Sequence, residues 1–324
     1  MYDSGRFFPP RYLRNRYTQT VLASAKIRAA GRNPMREASR EMIIDAGEGV
    51  RLQGFFSPRH GGPPAGLVIL LHGWEGSAES TYILHSGRFF YGQGYSVFRL
   101  NLRDHGNTHR LNEGIFRAIL LDEVFNAVEK SSALAGSAPC FLMGFSLGGN
   151  FVLRIAGRCT ERPIENLRHI VSVSPVINPS RATDAIDRSS LLRYYFLKKW
   201  RRSLALKQQA FPHLYDFRDI MTRGTVRSLT EALFEKYLTE IDPETYFRMY
   251  GIQRDTLADV STPTTIVAAK DDPAIPSDDF PGLRLSPSTR LIMHDYGGHN
   301  GFLEGVFKPT WYEKKALDLF AVEE

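Results

Sequence analysis

A serine framed by glycines, Gly144-Phe-Ser146-Leu-Gly148, is the residue whose neighbours best suit it to attack a carbonyl. A serine hydroxyl is a weak nucleophile until an imidazole accepts its proton, and the imidazole works best when a carboxylate orients it. Both partner types follow later in the chain. His299 stands in Tyr296-Gly-Gly-His-Asn-Gly301, and two adjacent aspartates stand in Ala269-Lys-Asp271-Asp272-Pro-Ala-Ile-Pro276. Successive residues leaving an extended strand point to opposite sides, so one of Asp271 and Asp272 faces His299 and the other serves a turn or cap. A bare G-x-S-x-G arises by chance roughly 0.1 times in a chain of this length. Its context therefore carries the weight: an apolar strand before it and an apolar helix after it, with glycines at the two points where strand and helix would otherwise collide. The helix behind Ser146 also presents free N–H groups where an oxyanion would form.

The elements that must position these residues are legible as runs. Gly66–Leu71, Tyr95–Leu102 and Pro139–Met143 are continuous apolar stretches of the kind buried on both faces of a parallel sheet. His169–Val173, Thr264–Ala269 and Thr289–His294 extend the series, and 41–45 with 51–57 flank Ala46-Gly-Glu-Gly49 as an antiparallel hairpin. Between them the spacing of Ile119, Leu120, Val124 and Val128 predicts a helix over Ile115–Lys130, and Leu303–Phe320 reads as a closing helix. The result is an α/β fold: a mostly parallel, doubly wound sheet with an N-terminal antiparallel hairpin. From about 180 to 261 the strand rhythm stops and helical, charged and aromatic residues take over, which predicts a helical lid inserted over the ligand-binding edge. The expected division is a 1–40 extension, a core of 41–179 and 262–324, and the 180–261 lid.

In this arrangement Ser146, the aspartates and His299 each follow a strand at its C-terminal end. The second oxyanion donor belongs to the loop after the third strand, His72-Gly73-Trp74-Glu75-Gly76, so the expected backbone donors are the amides of Trp74 and Leu147.

Composition narrows the class. No run approaches the roughly 18 apolar residues of a membrane span, and Met1–Arg16 lacks the apolar core of a secretory signal, so cytoplasmic residence is the default expectation. The two cysteines, Cys140 and Cys159, lie in apolar segments and read as buried thiols. The formal charge of +6 concentrates in Arg193–Lys207. There Leu192, Phe196, Trp200 and Leu204 form one helical stripe, with Lys198, Arg201, Arg202 and Lys207 largely elsewhere. Such a helix either packs its stripe on the protein or rests peripherally on an anionic membrane surface. The other basic residues are dispersed without a nucleic-acid-binding motif. His105 and His109 are close in sequence but have no third ligand nearby, so no metal or other cofactor is called for.

Four segments resemble the α/β-hydrolase family, and within it the YheT-like branch: Asn15-Arg-Tyr-Thr-Gln-Thr20, His72–Gly76, Gly144–Gly149 and Tyr296–Phe302. The resemblance selects Asp272 as the acid through its Asp-x-x-Ile-Pro spacing. It implies a serine hydrolase acting on carboxylic esters through Ser146, His299 and Asp272, with lipid and acylglycerol esters among the substrates of similar proteins. Tyr17 and Arg103-Asp-His-Gly106 depart from the branch pattern, and neither touches the three residues. The aromatics of the lid, Tyr194, Tyr195, Phe196 and Trp200, suit an apolar acyl chain with an anionic head group, and they suit core packing equally well.

Overall fold

The computed structural model describes residues 7–322; the outermost six residues of the 1–40 extension and the last two of the core lie outside it. Eight strands form one sheet: β1 Arg40–Asp45, β2 Arg51–Ser57, β3 Leu67–Leu71, β4 Ser96–Leu100, β5 Cys140–Phe145, β6 Leu167–Val173, β7 Thr264–Ala269 and β8 Thr289–His294. Their spatial order is β1-β2-β4-β3-β5-β6-β7-β8. β1 and β2 pair antiparallel, β2 joins β4 antiparallel, and all later pairs are parallel. The chain leaves β3 for β4 on one side and then returns to β5 on the other. The crevice beyond the carboxyl ends of β3 and β5 is thus the switch point where open α/β sheets bind ligands.

The apolar runs form the centre because both faces of the sheet are covered. In β3, Leu67, Ile69 and Leu71 enter one core while Val68 and Leu70 enter the other. The helices are α1 Arg16–Ala23, α2 Pro34–Glu37, α3 Thr81–Gly92, α4 Leu121–Ser132, α5 Leu147–Arg158, α6 Pro179–Arg188, α7 Ser190–Ala210, α8 Val226–Tyr237, α9 Pro243–Tyr250 and α10 Trp311–Val322. α6 to α9 occupy the insertion between β6 and β7 and pack on one another. On α7, Leu192 and Leu204 are buried and Phe196 and Trp200 pack on the core, so the stripe faces the protein.

Three expectations are corrected. Ile115–Leu120 is irregular and α4 begins only at Leu121. Its backbone is held from outside: Phe116 N donates to Asp104 Oδ2, Ala118 N to the Tyr246 hydroxyl, and Ala118 O accepts from Arg154. Tertiary partners there replace the helical ladder. The last helix starts at Trp311, not Leu303, because Pro309 cannot supply an N–H and Thr310 caps the new start. Glu313 N donates to Thr310 Oγ1 at 3.3 Å and Thr310 N to Glu313 Oε2 at 2.8 Å, a reciprocal capping box. Lys207 does not lie on the solvent side of α7. It is 1% exposed, pairs with Asp104 at 2.9 Å, and donates to the carbonyls of Asn112 and Gly114.

Candidate active site

At the end of β5 the chain turns into α5 through Ser146, whose φ of 55° lies in the left-handed region. The glycines make the turn possible. A Cβ on Gly144 would stand 2.2 Å from Gly148 O, and one on Gly148 would stand 2.5 Å from the carbonyl oxygens of Leu71 and His72. The strain leaves the Ser146 hydroxyl at the mouth of the crevice, 2.9 Å from His299 Nε2. His299 Nδ1 lies 2.9 Å from Asp272 Oδ2, and Asp272 Oδ1 accepts the amides of Ala274 and Ile275. Both histidine bonds are made together when Nδ1 carries the proton and Nε2 accepts from the hydroxyl. The three sequence-selected side chains, separated by up to 153 residues, are therefore brought into one hydrogen-bonded row.

Asp271 points the other way and accepts Gly298 N at 2.9 Å; burial pushes its carboxyl above the ordinary range. It holds the histidine loop rather than the histidine ring. That loop is strained, with positive φ at Gly298, Asn300 and Phe302, and a Cβ on Gly298 would stand 2.4 Å from Arg16 O. What holds it is the segment Asn15–Thr20. Asn15 caps α1, Thr20 Oγ1 accepts His299 N at 2.9 Å, and buried Gln19 exchanges two hydrogen bonds with the Leu303 backbone. The sequence marks this segment as a branch signature without a role. A glutamine and a threonine on a short helix give no signal of a partner some 280 residues away in the chain.

On the other wall, the loop after β3 approaches Ser146 so closely that a Cβ on Gly73 would meet Ser146 Cβ at 3.1 Å. Gly73 N donates to the Tyr82 hydroxyl. The amides of Trp74 and Leu147 have no acceptor among the described residues, and both residues line the cavity that holds Ser146 and His299. His72 is fully buried, donates Nδ1–H to Gly73 O and accepts Leu102 N at Nε2, and burial holds its imidazole down to about 4. A neutral imidazole thus fixes the loop. Glu75 follows with a φ of 55°, and burial pushes its carboxyl up to about 8.

Ser146 stands where two cavities meet. One, of about 130 Å³, runs under the insertion between apolar walls that include Phe116, Ile186, Leu233, Phe247 and Ile275. The other is a wider cleft of about 730 Å³ between α1, the 73–82 loop and α7. Trp74 stacks on Phe196 at 5.2 Å and meets Trp200 edge-on at 5.0 Å, so the insertion is pinned to the loop beside the serine. His105 donates to Arg103 O, His109 meets Ser203, and no cluster of three metal-binding side chains exists among the described residues. Cys140 and Cys159 are free and buried.

A family model, Hydrolase_4 (serine aminopeptidase, S33), matches residues 62–280, about two thirds of the chain. The chain belongs to the Hydrolase_4 family. The Hydrolase_4 match takes in Ser146 and Asp272 but ends before His299 and begins after the Asn15–Thr20 segment that braces it. Among relatives, YheT of Escherichia coli (strain K12), whose name assigns it provisionally as an esterase, is 24% identical over 98% of this chain and 93% of its own length. Phospholipase ABHD3 of Bos taurus is 24% identical over 74% of this chain, which spans only 59% of the ABHD3 length. The Pyrococcus furiosus esterase Pf2001 superposes with a TM-score of 0.57 at 15% identity, covering 98% of this chain and 99% of that one, which is a likeness of fold. The α/β-hydrolase and YheT-like resemblance is thereby shown for the chain. No helix of the described residues is long and apolar enough to cross a membrane.

Proposed function

We propose that this Hydrolase_4 member is a serine hydrolase that cleaves carboxylic esters with an apolar acyl group. The observation that carries the reading is the row Ser146–His299–Asp272, bonded at 2.9 Å in both links, opening onto an apolar cavity. In this reading Ser146 attacks the ester carbonyl while His299 takes its proton at Nε2, and Asp272 keeps the ring oriented and stabilises the imidazolium. The N–H groups of Trp74 and Leu147 hold the oxyanion. The tetrahedral adduct then expels the alcohol, which leaves with the proton from His299, and water activated by the same imidazole releases the acid. The names of YheT and ABHD3 support an ester over other acyl substrates.

The family description offers aminopeptidase as the second reading. A peptide ammonium needs an ionised carboxylate beside the triad. Of the carboxyls lining the two cavities, Asp104 is tied to Lys207, Glu79 is shared between Arg99 and Arg36, and burial pushes Glu75 up to about 8, so esters are favoured. A fluorophosphonate probe tests the whole reading. Wild-type protein should label and Ser146→Ala should not, with ester turnover lowered roughly 10³-fold or more; equal behaviour of the two proteins would refute it. A series of 4-nitrophenyl esters of rising chain length should peak beyond acetate, and a maximum at acetate would discard the apolar acyl cavity.

A further inference from the structure

The wide cleft has an unusual charge balance. Three acids line it, of which two are paired within the protein and the third is shifted toward its neutral form. Glu79 is shared between Arg99 at 2.6 Å and Arg36 at 2.9 Å. Asp104 is tied to the buried ammonium of Lys207, and its second oxygen accepts Phe116 N. Burial pushes the Glu75 carboxyl up to about 8. Three cations line the same cleft, Lys26, Lys199 and Arg202, and none of them forms an ion pair among the described residues. Lys199 is anchored through a 2.9 Å bond from Nζ to Glu75 O, one residue beyond the amide assigned to the oxyanion, while Lys26 and Arg202 lie exposed farther out. His105 and His109, which also line the cleft, are kept neutral by burial. Leu191, Tyr195, Lys199, Arg202 and Leu206 share one face of α7, beside the stripe that packs on the core, whose Leu192 and Phe196 also reach the cleft.

We infer that the cleft is the leaving-group subsite and that it takes an alcohol portion carrying an anionic group of the phosphate class, held by Lys199 and Arg202 with Lys26 at the entrance. The inference rests on the ester reading above. An unpaired ammonium and guanidinium in a cleft with low-dielectric walls focus potential on an anion, and their donors match phosphate oxygens. In the narrower cavity on the other side of Ser146 the two cations, Arg117 and Lys207, are already paired with Glu240 and Asp104, so the two cavities divide the substrate into an acyl half and a charged half.

The test compares decanoyl esters of matched nitrophenols, 2-nitrophenyl decanoate and 4-decanoyloxy-3-nitrobenzoate, which differ by one carboxylate on the leaving group. Comparing the ratio of kcat/KM for the two esters between wild type and variant cancels their intrinsic difference in leaving-group reactivity. The wild-type ratio should fall about fivefold to tenfold in Lys199→Gln and again in Arg202→Gln, through KM, and should shrink as salt rises. Lys198→Gln, on the same helix but outside the cleft, should keep the wild-type ratio. Ratios unchanged in both cleft variants would overturn the inference while hydrolysis by Ser146 stood. Binding supplies a reading independent of turnover: Ser146→Ala protein should bind monomeric dodecyl phosphate at least tenfold more tightly than 1-dodecanol, followed by Trp74 and Trp200 fluorescence, and Arg202→Glu should abolish the difference. If monomers show no such preference and only phosphatidylglycerol vesicles bind, the basic residues dock the protein on a membrane and the subsite is refuted.

Discussion

Thr20→Val is the sharpest test of how the histidine loop is held, because valine keeps the shape of threonine and removes only the hydroxyl. In the wild type that oxygen accepts His299 N at 2.9 Å and donates to Arg16 O at 2.7 Å. Removing it strands a backbone N–H in a part-buried site, which costs about 1–2 kcal/mol. The loop can recover that energy only by moving, since it already has positive φ at Gly298 and Asn300 and has spent its neighbouring amides on Asp271 and Ser174. A shift of His299 by about 1 Å from the Ser146 hydroxyl is worth about 10²-fold in rate. The expected outcome is therefore a 10- to 100-fold loss in kcat on a neutral 4-nitrophenyl ester, with KM changed less than threefold and stability in urea lowered by about 1–2 kcal/mol. Thr20→Ser keeps the oxygen and should recover most of kcat. If Thr20→Val stays within twofold of wild-type kcat while its stability falls as stated, Thr20 braces the fold and has no hold on the catalytic geometry.

Two further outcomes follow from buried charge. His72 and His109 are held down to about 4 by burial, well below an ordinary imidazole, so the unfolded chain takes up protons before the folded one as pH falls. Their stabilisation is complete above about pH 6.5 and is lost on acidification toward pH 4, with His72 alone worth about 3 kcal/mol over that window; urea titrations at pH 7.5 and 5.0 should show the drop, and equal midpoints would contradict it. Lys207→Met leaves Asp104 buried and unpaired, which should cost about 3–5 kcal/mol. Asp104→Asn added to it should restore part of that loss in the same urea assay, and a single variant as stable as wild type would show that the pair contributes nothing.

Much of the scaffold was legible because its signals are local. β5 and β7 fall where their apolar runs predict, since a strand covered on both faces needs only a continuous apolar stretch. The glycines at 144 and 148 announce the tight turn at Ser146 for the same reason: the clash they avoid is between residues four apart and the adjoining strand. β4 falls within its Tyr95–Leu102 run as well, but the run does not show how Arg99 is carried at 1% exposure: Glu79, Ala78 O and Ser39, from other segments, make that charge tolerable. Ile115–Leu120 has the spacing of a helix, but that spacing cannot reveal that Asp104, Tyr246 and Arg154 take its backbone groups instead.

What the sequence alone determined, then, was the order of the elements, the elbow around Ser146, and the short set of residues able to serve it. The tertiary structure decided which of two neighbouring aspartates faces His299, what Asn15–Thr20 is for, that Lys207 is buried, and that Glu79 and Asp104 of the cleft are paired while three of its cations form no ion pair among the described residues. The physical reason is one of range. Strand pattern, turn strain and helix spacing act over a few residues along the chain, whereas pairing of charges and satisfaction of buried polar groups depend on which distant segments the fold sets side by side.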